Sequence, residues 1–154
     1  MSDNKTKYAN GALNKNTVKS ILCSLVEDGL IVSYKSGFYT GYEGKSKRQF
    51  YVPFIIEFKN GTKWLLFTSN SIRADRMNIQ QWNAEHIRRI DSSVERAYLV
   101  IPNEIVNKEK EMTHVRSYES RLLSKMYYSA IDQVIYRDDL ANLCTNYAKT
   151  LEEN

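Results

Sequence analysis

The chain has 154 residues, 42% of them hydrophobic, with 22 Lys and Arg against 18 Asp and Glu, a net charge of +4 and a pI near 9.0. This is the length of a single domain, apolar enough for a packed core and too apolar for a disordered chain. No apolar run nears the roughly 18 residues of a membrane-spanning helix, the opening residues lack the apolar stretch of a secretory signal, and Cys23 and Cys144 form neither a metal spacing nor a disulfide framework. These features predict a soluble cytoplasmic protein with both thiols reduced and in the core.

Residues 1–14 are polar and read as a flexible N-terminus, leaving 15–154 as one domain. Val18, Ile21, Leu22, Leu25 and Val26 fall at helical spacing behind a cap at Asn16 or Thr17, and Gly29 ends that helix. Leu30–Val32 reads as a short strand, and Gly37, Gly41 and Gly44 predict a turn or loop over 35–48. Residues 49–58 are the clearest strand. Strict alternation would place Phe50, Val52, Phe54, Ile56 and Phe58 on one face, while Pro53 predicts an edge position or a bulge. Asn60-Gly61 signals a hairpin. Trp64–Phe67, apolar at every position, predicts a strand covered on both sides. A second helical pattern takes in Met77, Gln81, Ala84, Ile87 and Ile90, with Ile79 and Trp82 near the same face. Ala97–Ile101 is a buried strand stopped by Pro102. The remainder reads as helices, from Leu122 to Ile135 and from Leu140 to Leu151. The order predicts an α+β fold, α/β-like, with a central mixed sheet flanked by helices and a helical C-terminus.

The charge is unevenly placed. Residues 35–63 hold Lys35, Lys45, Lys47, Arg48, Lys59 and Lys63 against Glu43 and Glu57, interleaved with Phe38, Tyr39, Tyr42, Phe50 and Tyr51, while residues 97–154 are net acidic. Basic groups among aromatic rings suit a polyanion. On a strand, Glu57 and Lys59 would share a face. A carboxylate that holds Mg²⁺, with an ammonium beside it, suits phosphodiester hydrolysis. Such a centre needs a second acid; Glu43 is the first candidate and Asp28 the reserve. Arg73 and Arg76 begin the second helical pattern, where backbone N–H groups also favour anions. Gln80 and Gln81 are side chains able to read base edges. His86, beside Arg88 and Arg89, reads as a surface residue. Neither thiol has a histidine in a catalytic pattern.

Residues 54–102, from Phe54 through the Ser71–Asn83 stretch to Pro102, are similar to type II restriction endonucleases. The order helix, three strands, helix, strand resembles the core of PD-(D/E)xK nucleases. The resemblance implies Mg²⁺-dependent cleavage of double-stranded DNA by a homodimer. Glu57 and Lys59 would be its (D/E)xK element and Glu43 its upstream acid, making Glu43, Glu57 and Lys59 catalytic and Glu43 and Glu57 the metal ligands. Two departures stand out: no Pro-Asp pair lies upstream, and Glu57-Phe58-Lys59 precedes the Asn60-Gly61 turn, where the family usually places it on the next strand. Residues 17–52 also resemble the recognition helix and wing of a winged helix-turn-helix, with Lys45, Lys47 and Arg48 on the wing. The sequence therefore predicts a Mg²⁺-dependent, restriction-type DNA endonuclease, with DNA contacts from Lys45, Lys47, Arg48, Arg73, Arg76, Gln80 and Gln81. A non-catalytic, sequence-specific DNA-binding protein is the alternative, and a small protein-interaction module the third reading.

Overall fold

The computed structural model describes residues 2–69, 74–102, 105–106, 112–113 and 130–152, with side chains from 13 to 69, 78 to 102 and 130 to 152. Its elements are α1 (Ser2–Glu27), β1 (Ser33–Glu43), β2 (Ser46–Glu57), β3 (Lys63–Thr68), α2 (Ala74–Ile90), β4 (Val94–Ile101), β5 (Ile105–Val106), β6 (Met112–Thr113), β7 (Gln133–Tyr136) and α3 (Leu140–Glu152). The five-stranded sheet runs β1-β2-β3-β4-β7, antiparallel through β3 and parallel from β3 to β7, while β5 and β6 form a separate antiparallel pair. The fold is α+β with a mixed central sheet and a C-terminal helix, as the element order predicts.

Helices cover the two faces of the sheet. On one face Val18, Leu22 and Leu25 of α1 and Leu140 and Cys144 of α3 pack with Phe54, Ile56, Trp64, Leu66, Tyr98 and Val100. On the other, Ala84 and Ile87 of α2 pack with Phe50, Val52, Leu65, Phe67, Ala97 and Leu99. Strand β3 supplies both cores from alternate residues, which is why all four of Trp64–Phe67 are apolar. Trp64 is the hub of an aromatic cluster, with ring centroids 4.6 Å from Phe58, 5.2 Å from Tyr98 and 5.0 Å from Tyr147.

The strand at 49–58 keeps no single face. Lys35 pairs with Ile55 but Gly37 pairs with Val52, so β2 carries one extra residue there, a β-bulge. The bulge falls at Pro53, which has no N–H to give to a ladder. Side chains switch sides across it: Phe50 and Val52 face α2, while Phe54 and Ile56 face α1 and α3.

Further boundaries depart from the sequence pattern. Helix α1 starts at Ser2 rather than Asn16, because polar residues leave no apolar stripe to betray a helix. The stretch at 35–48 is the long hairpin β1–β2; its glycines are accommodated within strands and at the Gly44 turn, where φ is +61°. Gln133–Tyr136 is strand β7, so Val134 and Ile135 are not helical, and residues 122–129 lie outside those described. Ile79 and Trp82 are exposed, so they do not share the buried stripe of α2. Cys144 is buried but Cys23 is exposed, with its Sγ 3.1 Å from the Tyr34 hydroxyl.

Gly41 lies where the hairpin packs against the end of α2. A Cβ there would meet Cγ2 of Ile90 at 2.8 Å and Cε1 of Tyr39 at 2.9 Å. Gly41→Ala is expected to destabilise the fold by about 1–3 kcal/mol through overpacking. Thr40→Ala, one residue away on the exposed face, should stay within about 0.5 kcal/mol. Urea unfolding of both variants checks this.

Candidate nucleic-acid surface

β3 pairs with β2 only from Phe54 to Glu57, whereas β1 pairs along β2 as far as Ser46. The distal part of the hairpin therefore continues beyond β3 as a two-stranded ribbon. One face of that ribbon lies on α2. There Asn83 Nδ2 donates to the Tyr51 carbonyl at 3.1 Å. His86 stacks on Phe50 at 5.3 Å with 16° between rings, and lies 4.0 Å from Trp82.

His86 is thus an internal anchor rather than a surface group. Its Nδ1 donates to Oε1 of Glu43 at the ribbon's tip, and Arg48 Nε lies 3.5 Å from Oε2 of the same carboxylate. The hydrogen bond from His86 lowers the Glu43 carboxyl pKa. Partial burial opposes that effect, while the charges of His86, Arg48 and Arg89 reinforce it.

The predicted catalytic residues do not assemble as the sequence suggests. Glu57 ends the 12-residue β2 and Glu43 pairs with its first residue, Ser46. At about 3.3 Å per residue the two carboxylates lie roughly 35 Å apart, so within one chain they cannot share a cation. Lys59 lies beyond the end of β2 in the turn, and so does not project beside Glu57 from a strand. That turn spans residues 58–62. Phe58 N donates to the Thr62 carbonyl at 2.9 Å, Thr62 N donates to the Asn60 side chain at 3.0 Å, and Gly61 has φ +85°. Asn60-Gly61 makes the hairpin as predicted, with a longer loop than a two-residue turn.

Glu57 faces Lys63 across the ladder, but Lys63 Nζ pairs with Asp91 at 3.1 Å. Asp91 is itself occupied, its other oxygen accepting from the Ser93 backbone N–H at 3.0 Å. Burial pushes the Asp91 carboxyl up, but the hydrogen bonds from Ser93 and Lys63 outweigh it and the carboxyl lies below its ordinary value. No group of three or more His, Cys, Asp or Glu side chains suited to a metal gathers among the described residues. Among the described residues, the carboxylates of Glu43 and Glu57 are not brought together on one cation.

Of the predicted DNA contacts, Lys45, Lys47 and Arg48 are all exposed at the distal end of the ribbon. Arg73 and the side chain of Arg76 lie outside the described residues. Gln81 is buried, and Gln80 Nε2 points to the Thr68 carbonyl at 3.4 Å, so neither amide is presented to solvent as a base reader. The described residues do not form the winged-helix arrangement: α1 is followed by strands of the central sheet and packs its apolar stripe on them. Cys144 is buried, and desolvation pushes its thiol up to about 12, which keeps it in the unreactive thiol form.

Two polar side chains that the sequence pattern does not reveal tie the structure together. Asn14, 1% exposed, donates to the Val100 carbonyl at 3.4 Å and accepts from Arg137 at 3.5 Å. Arg88 donates to the carbonyls of Ala130 and Glu95 and to Asp132, each at 2.9–3.0 Å. Their partners are 7 to 123 residues away in sequence, so no local motif marks them.

An α+β domain with a basic ribbon projecting from its sheet is the class that the geometry defines. No protein-family model matches the chain. It is similar to the type II restriction enzyme BsuFI of Bacillus subtilis, with 30% identity over 141 residues, covering 90% of this chain and 35% of that enzyme. The chain therefore spans about a third of the length of that relative. This likeness supports a restriction-endonuclease-like relationship. Among solved structures, protein VC1899 from Vibrio cholerae superposes with a TM-score of 0.46 at 14% identity, covering 91% of this chain and 32% of that one. No helix of the described residues is long and apolar enough to cross a membrane.

The Glu43 and Asp91 carboxylates should make stability pH-dependent. Both folded pKa values are lowered, so their contribution is complete above the ordinary carboxylate range and is lost as pH falls below that range through the lower folded values. Thermal unfolding from pH 7 to pH 3 should show a falling melting temperature, with a shallower fall in Glu43→Gln and in Asp91→Asn than in the parent chain.

Proposed function

We propose that this chain is the DNA-acting part of a restriction-type endonuclease that hydrolyses phosphodiester bonds of double-stranded DNA with Mg²⁺. The observation that carries this reading is the 30% identity to a type II restriction enzyme over 90% of the chain. The order of helix, three strands, helix and strand, similar to the PD-(D/E)xK nuclease core, supports it. In this reading residues 15–154 form a single nuclease-like domain that works as a cytoplasmic homodimer.

Glu57 is the carboxylate assigned to the reaction and Lys59, two residues on in the exposed turn, is the cation that neutralises developing charge. Glu43 is left out of that centre, because both its oxygens are engaged at the far end of the ribbon. Lys45 and Arg48, together with Arg73 and Arg76, contact phosphates, and Lys47 adds its charge on the same DNA-facing ribbon. Each such contact releases counterions and steepens the salt dependence of binding.

Incubation with plasmid DNA and Mg²⁺ tests the activity. Wild type is expected to nick or cut, and chelation to stop it. Glu57→Ala should fall to background and Lys59→Ala should lose on the order of 10²-fold or more. Normal cutting by both variants would remove this centre, and no cutting by wild type across DNA of many sequences would remove the activity. Binding is tested separately. Joint replacement of Lys45, Lys47 and Arg48 by Ala should reduce the slope of log affinity against log salt by about 2–3, measured by fluorescence anisotropy on a duplex.

A further inference from the structure

The ribbon has a second face that the fold leaves uncovered. Phe38 pairs with Tyr51, Thr40 with Gln49, and Tyr42 with Lys47, so these six side chains lie together on the side away from α2. All six are exposed, including Phe38 at 67% and Tyr42 at 63%, while Tyr39, Gly41 and Glu43 between them are turned toward α2. Phe38 and Tyr51 pack edge to face at 5.6 Å. The Lys15 ammonium of α1 reaches the same face, 3.0 Å from the Tyr51 hydroxyl.

The residue types on this face are a readout set. Gln can pair in a bidentate way with adenine, Lys donates to guanine, and the Thr methyl and aromatic rings meet the methyl group of thymine. Among the described residues the face carries Lys15 and Lys47 and no carboxylate, and Lys45 sits at the adjoining turn, so its charge complements a polyanion. A two-stranded ribbon is also of a size that the major groove admits, about 12 Å wide against strands about 4.8 Å apart. The covering of the opposite face by α2 holds the ribbon rigid, as a reading element needs.

We propose that the outer face of the β1–β2 ribbon seats in the major groove of double-stranded DNA and sets sequence preference, with Gln49 and Lys47 as the base-reading residues. The inference rests on the DNA-acting reading above and adds where sequence is read. It also replaces Gln80 and Gln81, which the fold occupies, as the readers.

Selection from a randomised duplex library, read by sequencing, tests it with the full chain at low salt. Wild type is expected to enrich a defined motif. Gln49→Ala should relax preference at one base pair by about tenfold or more. Gln49→Glu should shift that position from adenine toward cytosine, a change that a merely structural role cannot produce. Lys47→Ala should relax a neighbouring position. Circular dichroism and melting temperature matching the parent confirm that the variants fold. If all three variants enrich the wild-type motif, or if wild type binds duplex without preference, the ribbon does not read sequence, although DNA binding stands. If wild type retains no duplex at all, both this inference and the DNA-acting reading fall. Sedimentation gives one further outcome: a dimer that becomes monomeric in Phe38→Ser and Tyr51→Ser would show that a second copy covers this face, and would overturn the proposal.

Discussion

The shape of the molecule depends on one extra residue in β2. Without the bulge at Pro53, strict alternation would carry Phe50 and Val52 to the same side as Phe54 and Ile56, and the ribbon would bury its aromatic face against α1. With it, the proximal part of β2 serves the core under α1 and α3, and the distal part serves the core under α2. A one-residue shift reverses every side chain beyond it. The consequence is that Phe38, Thr40, Tyr42, Lys47, Gln49 and Tyr51 remain in solvent while an apolar strand continues through the sheet.

Helix α2 holds that arrangement in place. Its residues successively engage the ribbon and the sheet: Asn83 the Tyr51 carbonyl, His86 the Glu43 carboxylate, Arg88 the approach to β7. The Lys63–Asp91 pair fixes the point where α2 ends and β4 begins. All but the Asn83 bond involve a charged partner at a partly buried position, each worth more than an exposed pair of the same kind. The polar density of this helix therefore has a structural meaning, and amides that look free in the sequence are committed in the fold.

What the sequence reveals follows from how local the signal is. The central strand Trp64–Phe67, the hairpin at Asn60-Gly61 and the last helix from Leu140 are legible because apolar runs, turn residues and helical spacing are written within a few residues. Pro53 was legible too, as a bulge or an edge, since a missing N–H is a property of the residue itself. Three glycines in eight residues read as a loop, yet Gly37 and Gly41 lie within a strand, one at the bulge and one where a helix approaches. The amide of Asn14, the guanidinium of Arg88 and the imidazole of His86 find partners that only the tertiary fold supplies. The pairing of Glu43 with Glu57 failed for the same reason: fourteen residues of separation say nothing about distance until the hairpin's register is known.

That register also sets a geometric condition on any duplex this domain engages. The ribbon's tip and Glu57 lie at opposite ends of β2, roughly 35 Å apart, about one turn of B-DNA. A duplex touching both must run along the strand direction, and two points one turn apart present the same side of the double helix. The basic ribbon end and the carboxylate end are therefore compatible with a single duplex only in that orientation. The local excess of positive charge over 35–63 is consistent with it: Lys45, Lys47 and Arg48 stand at one end of β2 and Lys59 at the other. A net charge of +4 describes this poorly, because what matters for a polyanion is that the basic groups lie at both ends of one strand pair.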